Sequence, residues 1–425
     1  MKPKLLMISL DAMVGEDLEI MAQLPGFGEI LSRASVVDQV ITTYPSLTHP
    51  VHVSLLTGCY PDRHGIISND YFLPGAPYAP WYEDYSLVRE PMLPQLLMEQ
   101  GRTCCSICWP LTIGMPAQWV LGRAWIHEHR GTEKEIMRRN STPGLFDEVS
   151  EAVQTCWGRE HYEESDMFCY LAGEYILEKY RPDATFIHFV LMDHIRHAYG
   201  VFSDKLKPAY QFLDQGIVKL LHALKKTGDL ENTIICLTSD HGQIDVKRVV
   251  NLNRFFTDHG LIQVDHDGKL VDWNAYCHSG SLSAYIYVRE SEHCSKEQVY
   301  ELLKSRQVQL GIGEIMTPKE TQDRYHLTGV YSFMVETDGC TSFSGSLTGE
   351  LITCTDNQDY RTSVAGHGHQ PEKGAKPAFV LCNPKATQRA HLSGGRVIDQ
   401  APTLAALLDV PMNGCDGRPI QELLR

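Results

Sequence analysis

The sequence predicts an α/β fold: a mostly parallel sheet sandwiched by helices, with a cap-like α+β insertion over residues 251–360. Three observations lead there. Short strand-like apolar runs alternate with amphipathic helical segments along most of the chain, the pattern of a parallel sheet covered on both faces. At 425 residues and 43% apolar content the chain can bury a large core, enough for one large domain with insertions or for two to three domains. Several of the runs close on an aspartate, at the strand ends where such sheets bind ligands.

In chain order, the strand-like runs fall at residues 5–10, 35–41, 103–108, 185–191, 233–238 and 378–381. Helical periodicity appears over residues 50–56, 92–100, 163–180, 208–227 and 401–408. Two stretches break the alternation. Residues 114–166 are rich in Trp, Arg and Glu, with weak periodicity, and are expected to form an excursion over the site. Residues 251–360 hold an alternating strand at 283–288, a helix near 296–305 and several Gly/Asp turns. The chain must return to the core at His367, so this stretch reads as an insertion within one domain. Internal repeats and low-complexity tracts are absent.

The formal charge of −15, with no basic run to offset it, argues against duplex nucleic acid as a partner. It leaves room for a phosphate substrate, because a bound divalent cation inverts the local field. Thirteen cysteines, several of them inside apolar runs, read as small core residues of a protein in a reducing compartment. The apolar segment after Met1-Lys2-Pro3-Lys4 is too short for a signal sequence or a membrane span. A cytoplasmic protein without a membrane partner is therefore expected; the oligomeric state is not readable.

Five separated segments carry metal-preferring side chains. They are Asp11; Thr48 within Pro45-Ser46-Leu47-Thr48-His49-Pro50; Asp193 with His197; Asp240-His241-Gly242; and Gly366-His367-Gly368. Asp11, Asp193 and Asp240 follow strand-like runs and should meet at one sheet edge. Asp193 and His197, four apart, share one face of a helix. Gly242 lets the chain bend so that adjacent Asp and His reach a common point. Thr48 enters a helix with Pro50 in its first turn, at or just before the N-cap, where free N–H groups favour an anion.

Each piece has an ordinary reading: Thr48 as a plain N-cap, the Asp/His pairs as surface hydrogen bonds. Together they supply three carboxylates, three imidazoles and one hydroxyl, the donor set of two borderline divalent cations. A metal pair suits in-line displacement at phosphorus and activates a threonine hydroxyl as nucleophile. His194 is expected to point away from the site. His369 is assigned to either a supporting role or a substrate contact.

With these residues in place, the chain resembles the alkaline phosphatase superfamily, most closely its nucleotide pyrophosphatase/phosphodiesterase branch. The matching residues are Asp11, the 45–58 segment, Tyr60-Pro61-Asp62-Arg63-His64-Gly65-Ile66-Ile67-Ser68-Asn69, Trp109-Pro110, Asp193 with His197, Asp240-His241-Gly242 and His367-Gly368. Asp399-Gln400-Ala401-Pro402-Thr403 and Gly417-Arg418-Pro419 extend the match towards the C-terminus. The resemblance implies one alkaline phosphatase-like catalytic domain over residues 1–425. It also implies two divalent metal ions, zinc as first choice and manganese as second. One would be held by Asp193, His197 and His367, the other by Asp11, Thr48, Asp240 and His241. Thr48 would be the nucleophile, passing through a covalent phospho-threonine, and Asn69 an amide donor to a non-bridging phosphate oxygen. The implied activity is hydrolysis of phosphodiester or pyrophosphate bonds in a nucleotide-like small molecule. His49 and His188 stand where nucleotide-cleaving members often carry aromatics that stack on the base, and are expected to contact substrate.

The sequence departs from that pattern at Leu111, which replaces the glycine of Trp-Pro-Gly, and at Val51, which replaces an asparagine. The main rival is a phosphomonoesterase or phosphonoacetate-type hydrolase on the same fold. A dianionic monoester usually calls for a nearby Lys or Arg, and Arg63 and Arg196 are the candidates. A sulfatase is disfavoured, because Cys59-Tyr60-Pro61-Asp62-Arg63 lies past the nucleophile position, which Thr48 fills. A non-catalytic binding protein of this fold would be expected to have lost a ligand, and all seven are present.

Overall fold

The computed structural model describes residues 2–76, 79–124, 132–154 and 162–425. Its principal strands are β1 (Lys4–Leu10), β2 (Ser35–Val37), β3 (Cys104–Ile107), β4 (Trp119–Leu121), β5 (Ala184–Phe189), β6 (Thr233–Thr238), β7 (Ala275–Ser279), β8 (Ser283–Val288), β9 (Ile312–Met316), β10 (Phe333–Thr337), β11 (Phe379–Cys382) and β12 (His391–Leu392). The helices that matter for the site are α1 (Thr48–Thr57), α2 (Tyr162–Lys179), α3 (Leu191–Tyr199), α4 (Leu206–Thr227) and α5 (Gln400–Leu407).

Eight strands form the central sheet in the order β12-β2-β11-β6-β1-β5-β3-β4. All neighbours run parallel except β11, which is antiparallel to both β6 and β2. Two apolar layers cover it. One packs α2 and α4 against residues such as Leu6, Ile8, Ile187 and Leu237; the other packs α1 and α5 against Met7, Phe186 and Cys236. Alternate residues of β1 therefore serve opposite layers, as strand geometry dictates. Each fully buried Leu, Ile or Phe contributes about 1.5–3 kcal/mol.

The three central strands end level with one another. Leu10 pairs with Phe189 and Ser9 with Thr238, so the chain leaves β1, β5 and β6 at one edge. The strand expected over 185–191 stops at Phe189 for a local reason. The buried Asp166 carboxylate on α2 accepts hydrogen bonds from the backbone N–H groups of Val190 and Leu191. It thereby caps α3 and turns the chain from strand into helix. The run at 35–41 also divides, since Val40–Ile41 leaves the central sheet to pair with Gly395–Arg396. Part of the 114–166 stretch is core rather than excursion, because β4 is the edge strand beside β3. Its segments 125–131 and 155–161 lie outside the described residues.

Within 251–360, β7 to β10 form an antiparallel sheet ordered β7-β8-β10-β9, with a core that includes Phe256, Tyr285, Ile286 and Phe343. Tyr44, on the approach to α1, belongs to the same core and hydrogen-bonds the buried Glu336 at 3.1 Å. All twelve described cysteines are free, and the nine buried ones act as core residues. No helix among the described residues is long and apolar enough to cross a membrane.

Candidate functional site

Three adjacent strands deliver the acids. Asp11 follows β1, Asp193 lies in the first turn of α3 beyond β5, and Asp240 lies two residues past β6. From α3, His197 Nε2 comes within 3.3 Å of an Asp193 oxygen, and His367 Nε2 comes within 4.0 Å of the other. Asp193, His197 and His367 thus form one group whose donor atoms lie within 4.8 Å of one another. Asp11, Asp240 and His241 form a second group of the same compactness. His241 Nε2 sits 3.2 Å from Asp240, 3.6 Å from Asp11 and 3.3 Å from Thr48 Oγ1. Thr48 is the first residue of α1, with Leu47 as its N-cap; it lies one position inside the helix rather than at the cap.

Close backbone approach makes this crowding feasible. A Cβ on Gly242 would meet the Ala375 carbonyl oxygen at 2.1 Å, so this glycine serves approach rather than a positive φ. Gly368 combines both needs: its φ is +92°, and a Cβ there would meet the Gly280 oxygen at 2.2 Å.

The donor set fits a pair of cations. Asp11 Oδ1 and Asp240 Oδ2 are buried and accept no hydrogen bond, a costly state for a carboxylate unless a cation completes it. His197 Nδ1 donates to the Ala365 carbonyl at 2.7 Å, and His367 Nδ1 to the Ser46 carbonyl at 3.1 Å. Those bonds fix each ring and leave Nε2 free to bind a metal. The electrostatics agree. Burial, with Asp193 close by, pushes the Asp240 carboxyl up to about 7. Asp11 is also raised well above its ordinary value, by burial and by Asp240 and Asp193. Burial opposes ionisation of Asp193 too, yet His197 and His367 hold it well below the usual range. Burial keeps His367 down at about 3, hence neutral and ready to ligate.

Asp11, Thr48, Asn69, Asp193, His197 and His367 line one cavity of about 200 Å³. Asn69 Oδ1 accepts the His49 backbone N–H at 2.9 Å, which fixes the orientation of its amide. Asn69 Nδ2 is buried beside the Tyr360 hydroxyl without a well-formed hydrogen bond.

The two proposed stacking histidines are placed differently from the expectation. The His49 ring is fully buried, edge-on to Trp81, and does not line the cavity; only its backbone serves the site. At the second position of α1 its side chain is turned into the protein. His188 reaches the cavity wall, but its ring nitrogens are engaged by Ser9, His52 and Asp11 and the ring meets His52 in a T-shaped contact.

The aromatic rim comes from residues that sequence reasoning did not select. Tyr162 stacks on His194 at 3.7 Å, and both line the cavity, so His194 does not point away. Trp81 and Tyr360 complete the lining. His369 is buried outside it, with Nδ1 on the Gln370 carbonyl.

Neither candidate arginine faces the cavity. Arg196 is wholly buried against Asp17, and Arg63 is bound to Glu90 and Asp416. Among the described residues, no Lys or Arg lines the cavity. A second cavity, of about 410 Å³, shares Trp81 and Asp359 with the first.

The family model described as type I phosphodiesterase / nucleotide pyrophosphatase matches residues 5–365. Among curated proteins, the chain is 25% identical over 264 residues to a bis(5'-adenosyl)-triphosphatase from Bos taurus, covering 59% of this chain and 50% of that protein. It is 25% identical over 276 residues to ectonucleotide pyrophosphatase/phosphodiesterase family member 1 from Homo sapiens, covering 62% and 26%. The chain therefore spans half or less of the length of these relatives. Murine ectonucleotide pyrophosphatase / phosphodiesterase 5, solved in an inactive form in complex with AMP, superposes with a TM-score of 0.70 at 16% identity, covering 100% of this chain and 99% of that one. At that identity the likeness establishes the fold alone.

Proposed function

Since the chain belongs to the type I phosphodiesterase / nucleotide pyrophosphatase family, we propose that it hydrolyses a phosphodiester or pyrophosphate bond of a nucleotide-like small molecule, with Thr48 as nucleophile. The observation that carries this reading is the convergence of Thr48, Asn69 and members of both acid–imidazole groups on one cavity.

Asp193, His197 and His367 would hold one divalent ion and Asp11, Thr48, Asp240 and His241 a second, zinc being preferred by the mixed oxygen and nitrogen donors. Bound there, the ions would lower the pKa of the Thr48 hydroxyl and neutralise charge on the phosphoryl oxygens. The chain's own residues supply the rest. Thr48 Oγ1 bonds to phosphorus as the bond to the leaving oxygen breaks on the opposite side. Water then attacks the phospho-threonine in line, restoring Thr48 and releasing the phosphorylated product. Because Asn69 Oδ1 is taken by His49, Nδ2 is the end offered to a non-bridging oxygen.

A neutral amide, with no Lys or Arg among the described lining residues, matches the single charge of a diester; a dianionic monoester calls for a cation. The stacked Tyr162–His194 pair puts aromatic side chains on the cavity wall, chemistry that suits a planar base, and the AMP bound by the murine neighbour supports a nucleotide-like substituent.

The test is parallel assay of zinc-loaded protein on bis-p-nitrophenyl phosphate, p-nitrophenyl phosphate and a sulfate ester. The diester should turn over about tenfold or more faster than the monoester. Comparable monoester turnover would overturn the preference. Thr48→Ala should abolish turnover with fold and metal content retained; undiminished hydrolysis removes Thr48 from the mechanism.

A further inference from the structure

We infer that the Tyr360 hydroxyl is a second hydrogen-bond donor to the phosphoryl group, working beside Asn69. The inference rests on the phosphodiester reading of the cavity. Tyr360 lines that cavity with Thr48, Asn69, Asp193, His197 and His367. Its ring is held on several sides. It stacks on His367 at 5.6 Å with 7° between planes, tilts against His197 at 6.2 Å and meets Trp81 edge-on at 6.1 Å. The Arg361 guanidinium lies 4.3 Å from its centroid. A ring packed in this way carries its hydroxyl to one place.

That hydroxyl oxygen is nevertheless buried without a hydrogen bond, and so is Asn69 Nδ2. The two groups lie within hydrogen-bonding reach of each other, although neither makes a well-formed hydrogen bond. Two residues of one cavity wall whose buried polar atoms lack a well-formed hydrogen bond are what a preorganised site leaves open for its ligand. Both are neutral donors, and an oxygen of the phosphoryl group is the acceptor their position suits.

Arg361 is no substitute. Its Nη2 is bound to Asp70 at 2.7 Å and its Nε to the Ser279 carbonyl at 2.9 Å, and it faces the neighbouring cavity instead. Tyr360 keeps its proton throughout; it donates a hydrogen bond to charge that builds on the phosphoryl oxygen, and no bond to it forms or breaks. Two neutral donors stabilise that charge without requiring a dianion, which sharpens the preference for a diester.

Tyr360→Phe retains the ring and its stacking on His367 while deleting the donor. Once zinc-loaded wild type is seen to turn over bis-p-nitrophenyl phosphate, the variant should lose about 10²-fold in kcat, with KM shifted by less than about threefold. Calorimetry should show orthovanadate, a mimic of the five-coordinate phosphoryl group, bound about tenfold or more weakly. Zinc content and melting temperature should match wild type. Unchanged kcat and vanadate affinity in an active background overturn the inference and leave the phosphodiesterase reading standing. Loss of zinc with loss of rate also overturns it, since the residue would then act through His367. A wild type inert towards diesters overturns both.

Discussion

Replacing Arg196 by methionine tests whether the two halves of the site are clamped together. The Arg196 side chain is 0% exposed. Its Nη2 lies 2.7 and 2.6 Å from the two Asp17 oxygens, its Nε donates to the Ala12 carbonyl at 3.1 Å, and Nη1 bonds the Val201 carbonyl. It therefore ties α3, which carries Asp193 and His197, to the turn that carries Asp11. In Arg196→Met, Asp17 stays buried with only the Tyr210 hydroxyl and the Val14 N–H as donors. Breaking a buried pair by removing one partner costs about 3–5 kcal/mol. Unfolding entropy of about 2.1 cal/mol/K per residue amounts to about 0.9 kcal/mol/K over 425 residues, so calorimetry should record a Tm lower by about 3–6 °C. Adding Asp17→Leu should recover most of it, because an apolar pair of similar volume often replaces an ion pair without loss. With metal loaded, kcat of the single variant should fall towards 10²-fold, the cost of about 1 Å of misplacement. A single variant within about 1 °C of wild type, or a double variant no more stable than the single, would refute the clamp.

Asn69→Ala should lower kcat by about 10²–10³, as removal of an oxyanion donor does; a negligible change would mean that Nδ2 does not meet the phosphate. Asp240→Ala should lose metal as well as rate, and elemental analysis finding two ions per chain would contradict its place in the second group. Asp70 predicts an acid limit to stability. Burial pushes its carboxyl up, but Arg361 and His278 outweigh that and hold it well below the usual range. Its contribution is thus complete above its unfolded pKa of about 3.9 and drains away as pH falls towards the folded value. Asp70→Asn should flatten the loss of stability below about pH 4; an unaltered acid-unfolding curve would show that the pair does not govern it.

Strand-end acids are legible in the sequence because Asp11, Asp193 and Asp240 each follow an apolar run. Parallel neighbours align their carboxyl ends whatever lies between them in the chain. His197 follows from helical spacing. The direction of β11 was not legible, since an apolar run reads the same forwards and backwards. Gly242 was legible as special but not for the right reason, because the approach of Ala375 is set by a segment more than a hundred residues away.

Side-chain direction and partnership were decided by tertiary structure alone. His49 sits beside Thr48 in sequence, yet the docking of α1 turns its ring into the protein and leaves only its N–H for Asn69. Arg196 looks like a phosphate ligand until the Asp17 carboxylate is seen beside it. Tyr360, Trp81 and Tyr162 belong to no motif and reach the cavity through the packing of separate segments. Local pattern records which face of an element is apolar and where a strand ends; which groups then meet across the fold depends on contacts between residues far apart in the chain, and those exist only once the core has closed.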